Sequence, residues 1–143
     1  MKKVFVYGTL RAGEINDINQ AAARHDIAEP VLLGSATLRG HLFDFGAYPG
    51  FVPDAAGQPV RGDVYEIDPA LVAVLDEIEE VYPGVEGLFV AREVSVEVEG
   101  EALLCRFYPV TRQAVKGLPE IRCGDWVEHR RAREGTHSQA HSR

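Results

Sequence analysis

The spacing of apolar and polar positions changes several times along this chain, and each change predicts an element. Lys2–Tyr7 is short and apolar, rich in Val and Phe, and reads as a strand. From about Asp17 to His25, the residues Ile18, Ala21, Ala22 and His25 fall on one helical face. Val31–Phe45 is apolar but interrupted by Gly34 and Gly40, which predicts one bent strand or two short ones. Gly46-Ala47-Tyr48-Pro49-Gly50 is a turn by composition, and Val60–Ile67 is another strand with Gly62 inside it.

The strongest period follows. Asp68 supplies an N-cap and Pro69 the first helical position, and Leu71, Val74, Leu75 and Ile78 then recur at helical spacing. Tyr82-Pro83-Gly84 is expected to end that helix. Val90–Val98 alternates strictly, with Val94, Val96 and Val98 on one side and Glu93, Ser95, Glu97 and Glu99 on the other. Gly100 turns the chain and Ala102–Val110 returns, an antiparallel hairpin. From about Arg131 the residues are charged and polar, and a frayed tail is expected there. Strands with two helices predict an α+β domain over residues 1–130, with a small barrel as one way to close the sheet.

A chain of 143 residues, 45% apolar, suffices for one core. Fifteen basic residues against 22 acidic ones give a net charge of −7, and no basic stretch interleaves with aromatics, so nucleic acid is not the expected partner. Cys105 and Cys123 form no CxxC or metal-type spacing and are expected to be reduced. The apolar run after Met1-Lys2-Lys3 stops at Gly8, too early for a signal peptide, and no stretch approaches a membrane span. A cytoplasmic location is the expectation.

The absent motifs narrow the chemistry. Gly13 is followed by Glu-Ile rather than Lys-Ser/Thr, and no GxGxxG, HExxH or GxSxG occurs. The histidines are scattered, so neither metal nor cofactor is expected. Carboxylates remain: Asp76, Glu77, Glu79 and Glu80 close the second helix. At roughly 100° per residue, Glu80 points away from the apolar stripe and Asp76 nearly so. Glu79 falls at the stripe's edge between Val72 and Leu75, the position most easily half-buried. Glu77, on the other flank beside Ala70 and Val74, is not eliminated by this geometry. In a helix's last turn, the dipole, acidic neighbours and desolvation all push a carboxyl pKa upward, toward use as an acid or base.

The N-terminal strand runs into Tyr7-Gly8-Thr9-Leu10-Arg11-Ala12-Gly13, where glycine permits close backbone approach and successive amides make an anion-binding concavity. This turn, Leu75-Asp76-x-x-Glu79, Gly124-Asp125-Trp126 and Phe43-Asp44-x-Gly46-x-Tyr48-Pro49-Gly50 together resemble the γ-glutamylcyclotransferase-like (AIG2-like) family over about residues 4 to 127. The resemblance implies a compact barrel-like sheet with flanking helices and one pocket. A small-molecule γ-glutamyl substrate would lie against Tyr7, Gly8, Thr9, Leu10, Arg11 and Tyr48, with Glu79 as acid and base. Its α-amine would attack its own γ-carbonyl and release 5-oxoproline. Glu80, where relatives often have Gly, and Val90-Ala91-Arg92, where they have Tyr-x-Arg, depart from the pattern and bear on the substrate. A non-catalytic ligand-binding domain of the same fold is the alternative. An interaction module would instead show a large exposed apolar patch.

Overall fold

The computed structural model describes residues 1–79 and 91–141, the last helix by its backbone alone beyond Glu134. Six strands form one sheet: β1 (Lys2–Val6), β2 (Val31–Asp44), β3 (Pro49–Pro53), β4 (Gln58–Ile67), β5 (Arg92–Val98) and β6 (Glu101–Phe107). Their order is β3-β2-β4-β1-β6-β5. Every neighbouring pair is antiparallel except β1 with β6. The long β2 curls far enough to meet β5, and Gly34 faces Val98 where they approach, so the sheet becomes a half-barrel. Three helices flank it: α1 (Ile18–Arg24), α2 (Pro69–Ile78) and α3 (Trp126–His141).

β1 lies inside the sheet and is buried on both faces, which is why Val4-Phe5-Val6 runs apolar without alternation. Phe5 joins the core inside the half-barrel with Leu42, Phe51, Val60, Phe107 and Trp126. Val4 and Val6 face the other way, onto Ile18 and Ala22 of α1 and Leu71 and Leu75 of α2. Asp68 caps α2 by accepting from the Ala70 amide at 2.8 Å. Val96 and Val98 of β5 are buried, while Glu93, Ser95, Glu97 and Glu99 are exposed, the alternation read from the sequence.

Val31–Asp44 is one bent strand, the first of the two readings its sequence allowed, with a register shift between Leu32 and Gly34. Other expectations need correction. The segment read only as a turn also starts an edge strand at Pro49, a place where a missing amide costs no ladder bond. The expected frayed tail is helical as far as His141, and α1 ends before His25, which is exposed. Tertiary contacts hold α3 where local propensity would not. Arg130 pairs with the buried Glu14, and Arg133 donates to Asp44 at 3.0 Å and lies over the Trp126 ring.

Gly124-Asp125-Trp126 organises the start of that helix. Asp125 Oδ1 accepts from the amides of Val127 (3.0 Å) and Glu128 (3.2 Å), and Trp126 is fully buried in the core. Gly124 has φ +69°, and a Cβ there would collide with the Pro59 carbonyl. Gly124→Ala is therefore expected to cost about 2–4 kcal/mol in urea denaturation, through left-handed strain and backbone overlap together.

Candidate functional site

The end of β1 opens into a pocket of about 280 Å³. Tyr7, Gly8, Thr9 and Leu10 form one wall, Tyr48 and Pro49 a second, and Ile78 and Glu79 at the end of α2 a third. Tyr108, just beyond β6, and Asn16 complete the lining that bears on its chemistry. The turn is folded back on itself: Arg11 N donates to the Gly8 carbonyl (3.1 Å), Asn16 N to Thr9 O (2.9 Å) and Ile18 N to Leu10 O (2.9 Å). Asn16 Nδ2 also donates to Thr9 Oγ1 at 3.1 Å. Periodicity carries no signal for Asn16, which reaches the pocket only because the turn doubles back to it.

Gly8 packs edge-on against Pro49, where an added Cβ would come to 2.7 Å from Pro49 Cγ. That close approach joins two segments the sequence keeps far apart. Tyr48, on the same side, stacks on Phe45 with ring centroids 5.2 Å apart.

Tyr7 lines the pocket but its hydroxyl is already engaged. It donates to Tyr108 O (2.7 Å) and accepts from Phe51 N (3.2 Å). Burial, then the nearby Glu79 charge, hold its pKa well above the usual phenol value, against a smaller opposing pull from the Phe51 amide. Its contribution to the pocket is its ring. Arg11 is a clearer correction. It is absent from the pocket lining; its Nε donates to Asp63 at 3.0 Å and its Nη1 to Asp125 at 2.9 Å, all three side chains largely buried. The guanidinium thus fastens the turn to β4 and to the cap of α3.

Three of the four carboxylates singled out in the sequence are described, Asp76 and Glu77 in α2 and Glu79 at its C-cap. Glu77 is exposed, and Glu80, with Val81–Val90, lies outside the described residues. Asp76, expected to face solvent, is half-buried against β6. It accepts from Arg106 Nε (3.1 Å) and Nη2 (2.8 Å) and from the Tyr108 hydroxyl (2.6 Å). Glu79 caps the helix C-terminus, its amide donating to Leu75 O at 2.9 Å, and its half-buried side chain lines the pocket. Desolvation raises its pKa to about 7. The direction agrees with the sequence argument, and burial is the cause. Tyr108, too, is raised, by burial first and then by the hydrogen bond to Asp76.

Among the described residues no cluster of His, Cys, Asp and Glu is arranged to hold a metal, and Cys105 and Cys123 are both free thiols. The pocket brings one half-buried carboxyl of raised pKa against a glycine-containing backbone turn. The profile of one family, described as "Gamma-glutamyl cyclotransferase, AIG2-like", matches residues 4–128. The chain belongs to the γ-glutamyl cyclotransferase, AIG2-like family.

Members of that family resemble it along most of its length. The "Gamma-glutamylcyclotransferase family protein YtfP" of Escherichia coli (strain K12) is 32% identical over 127 residues, 88% of this chain and 96% of that protein. The "Gamma-L-glutamyl-butirosin B gamma-glutamyl cyclotransferase" of Niallia circulans is 34% identical over 133 residues, covering 91% and 78%. A solved AIG2-like protein from Mus musculus shares the fold with a TM-score of 0.65 at 22% identity, over 83% of this chain and 84% of that one. Of the positions read as departures from the family pattern, Glu80 and Val90 lie outside the described residues, while Ala91 precedes β5 and Arg92 begins it. No helix among the described residues is long and apolar enough to cross a membrane.

The raised pKa of Glu79 gives a stability test. Folded, the group holds a proton up to about pH 7; unfolded, it releases it near its ordinary value of 4.5. Between those values the unfolded state binds fewer protons, so rising pH removes stability. Relative to Glu79→Gln, the wild type should lose about 2–3 kcal/mol between pH 5 and pH 8, the two being close at pH 5. Urea denaturation at the two pH values measures this directly.

Proposed function

We propose that this pocket binds the γ-glutamyl group of a small γ-glutamyl amine or amino acid and cyclises it, releasing 5-oxoproline. The observation that carries the reading is Glu79, a half-buried carboxyl raised to about 7, lining the same pocket as Gly8–Leu10. Ionised Glu79 takes a proton from the α-ammonium. The freed amine attacks the γ-carbonyl carbon of the same molecule, forming the ring C–N bond. Protonated Glu79 then gives its proton to the departing nitrogen as the old amide bond breaks, and the ring nitrogen sheds its second proton to the released amine or to water, so that Glu79 ends ionised as it began. Since nucleophile and electrophile share one molecule, proximity supplies much of the rate, and neither a side-chain nucleophile nor a metal is required. Amides of the Gly8–Leu10 turn serve the α-carboxylate or the developing oxyanion.

A carboxyl with a pKa of about 7 is only partly ionised at neutral pH, which suits proton exchange better than the steady anchoring of a cation and favours the enzymatic reading over the non-catalytic alternative. The Niallia circulans relative, by its name, removes a γ-glutamyl group from butirosin, which suggests that leaving groups well beyond amino acids fit this architecture.

Mass spectrometry of 5-oxoproline, across a panel of γ-glutamyl dipeptides and γ-glutamyl amines, tests the reading. Wild-type protein should release it, with kcat/KM rising through about pH 7 as Glu79 ionises. Glu79→Gln should lower kcat/KM by about 10²–10⁴-fold while remaining folded. A folded wild type that is silent across the panel would return the pocket to a binding role.

A further inference from the structure

Asp76 stands one helical turn before Glu79, on the last turn of α2. Two side chains, one from β6 and one from its continuation, engage that turn through it. The Arg106 guanidinium reaches both carboxylate oxygens, Nη2 to Oδ1 at 2.9 Å and to Oδ2 at 2.8 Å, with Nε on Oδ1 at 3.1 Å. The Tyr108 hydroxyl donates to Oδ1 at 2.6 Å and accepts from Arg106 Nε at 3.3 Å. Arg106 also lies over the Tyr108 ring, 5.7 Å from its centroid. Tyr108 is the element common to clamp and pocket: its ring is buried, it lines the cavity with Glu79, and its carbonyl is held by Tyr7.

We propose that Asp76, Arg106 and Tyr108 are positioning residues that fix the last turn of α2, set where the Glu79 carboxyl stands, and keep a balanced charge pair beside it. Bidentate carboxylate–guanidinium geometry resists rotation where a single contact would not. Residues three apart on a helix are neighbours, so the Asp76 charge would act on Glu79 if it were bare. Paired with Arg106, it acts little, and desolvation alone governs Glu79. The other titratable groups lining the pocket with Glu79 among the described residues are Tyr7, Tyr48 and Tyr108; Glu77, on its own helix, is exposed. The catalytic consequence rests on the cyclotransferase reading above, whereas the electrostatic consequence does not.

Removing either partner of the pair should therefore loosen the same turn but leave opposite charges behind. Asp76→Asn bares Arg106 and should lower the Glu79 midpoint. Arg106→Gln bares Asp76 and should raise it. Carbon-13 NMR titration of the Glu79 carboxyl in the full-length protein should show each shift as about half a pH unit or more. In both variants kcat for 5-oxoproline release should fall about tenfold to hundredfold, with KM within about twofold. Arg106→Lys keeps the charge and loses the fork: the midpoint should stay near the wild-type value while kcat falls. Tyr108→Phe, which deletes one hydroxyl, gives a smaller kcat loss and serves if the charge variants do not fold. Midpoints that move in the same direction, or Lys and Phe variants with wild-type kcat, would overturn the clamp. Opposite midpoint shifts in a protein that cyclises nothing would uphold the clamp and remove the enzymatic reading.

Discussion

One buried hydroxyl holds the floor of the site together. Tyr7 follows β1, and its oxygen bridges the carbonyl of Tyr108, beyond β6, and the amide of Phe51, in β3. β3 is an edge strand, separated from β6 by β2, β4 and β1 in the sheet order. The open side of the half-barrel is thus stitched by a side chain instead of by a strand pair, with help from Val110 N donating to Phe51 O at 2.9 Å. A buried phenol must find partners for its hydroxyl, and here both partners are backbone groups that would otherwise lie unpaired at the sheet's end. The stitch brings Tyr7, Tyr48, Pro49 and Tyr108 to one cavity, and the end of α2 then meets it through the apolar packing of Leu71 and Leu75.

Much of this arrangement was legible beforehand, for identifiable reasons. α2 declared itself through its cap and its apolar stripe, and the position of Glu79 at the stripe's edge followed from helical geometry. The β5–β6 hairpin was equally plain, because one face of it is buried and the other is not. Tertiary pairing was not legible. Asp76 looked solvent-facing because rotation about a helix axis says nothing of Arg106 arriving from another strand. Arg11 sat in a segment that looked ligand-facing, yet Asp63 and Asp125 lie 52 and 114 residues away in sequence and claim it. α3 has a weak apolar face and many charges, so its order depends on partners such as Glu14 and Asp44 that no local pattern reveals.

The ion pairs behind the two corrections, at Arg11 and at Asp76, share a physical character. Arg11 and Arg106 each place a guanidinium between elements and satisfy it with carboxylates in partly dry surroundings. Such pairs contribute less net stability than their Coulomb attraction suggests, because both charges lose water. Their strength is directional: the fork accepts few geometries, so it selects one relative placement of the parts it joins. One fork fixes the backbone wall of the pocket and the other the carboxylate wall. The apolar core between them supplies most of the stabilisation without needing such angular precision.

The span of these contacts along the chain also governs when a site can exist. The Tyr7–Tyr108, Arg11–Asp125 and Glu14–Arg130 contacts bridge 101, 114 and 116 residues. Contacts that distant in sequence form late, because a long loop must close before any of them is gained. During synthesis the turn at residues 7–14 can meet Pro49 and Asp63 early, but its contacts with Tyr108, Asp125 and Arg130 wait until the sequence around residues 108–130 has left the ribosome. A chain clipped before Tyr108 would keep the glycine turn and Glu79 but lack the last wall of the pocket and the long-range contacts that brace it.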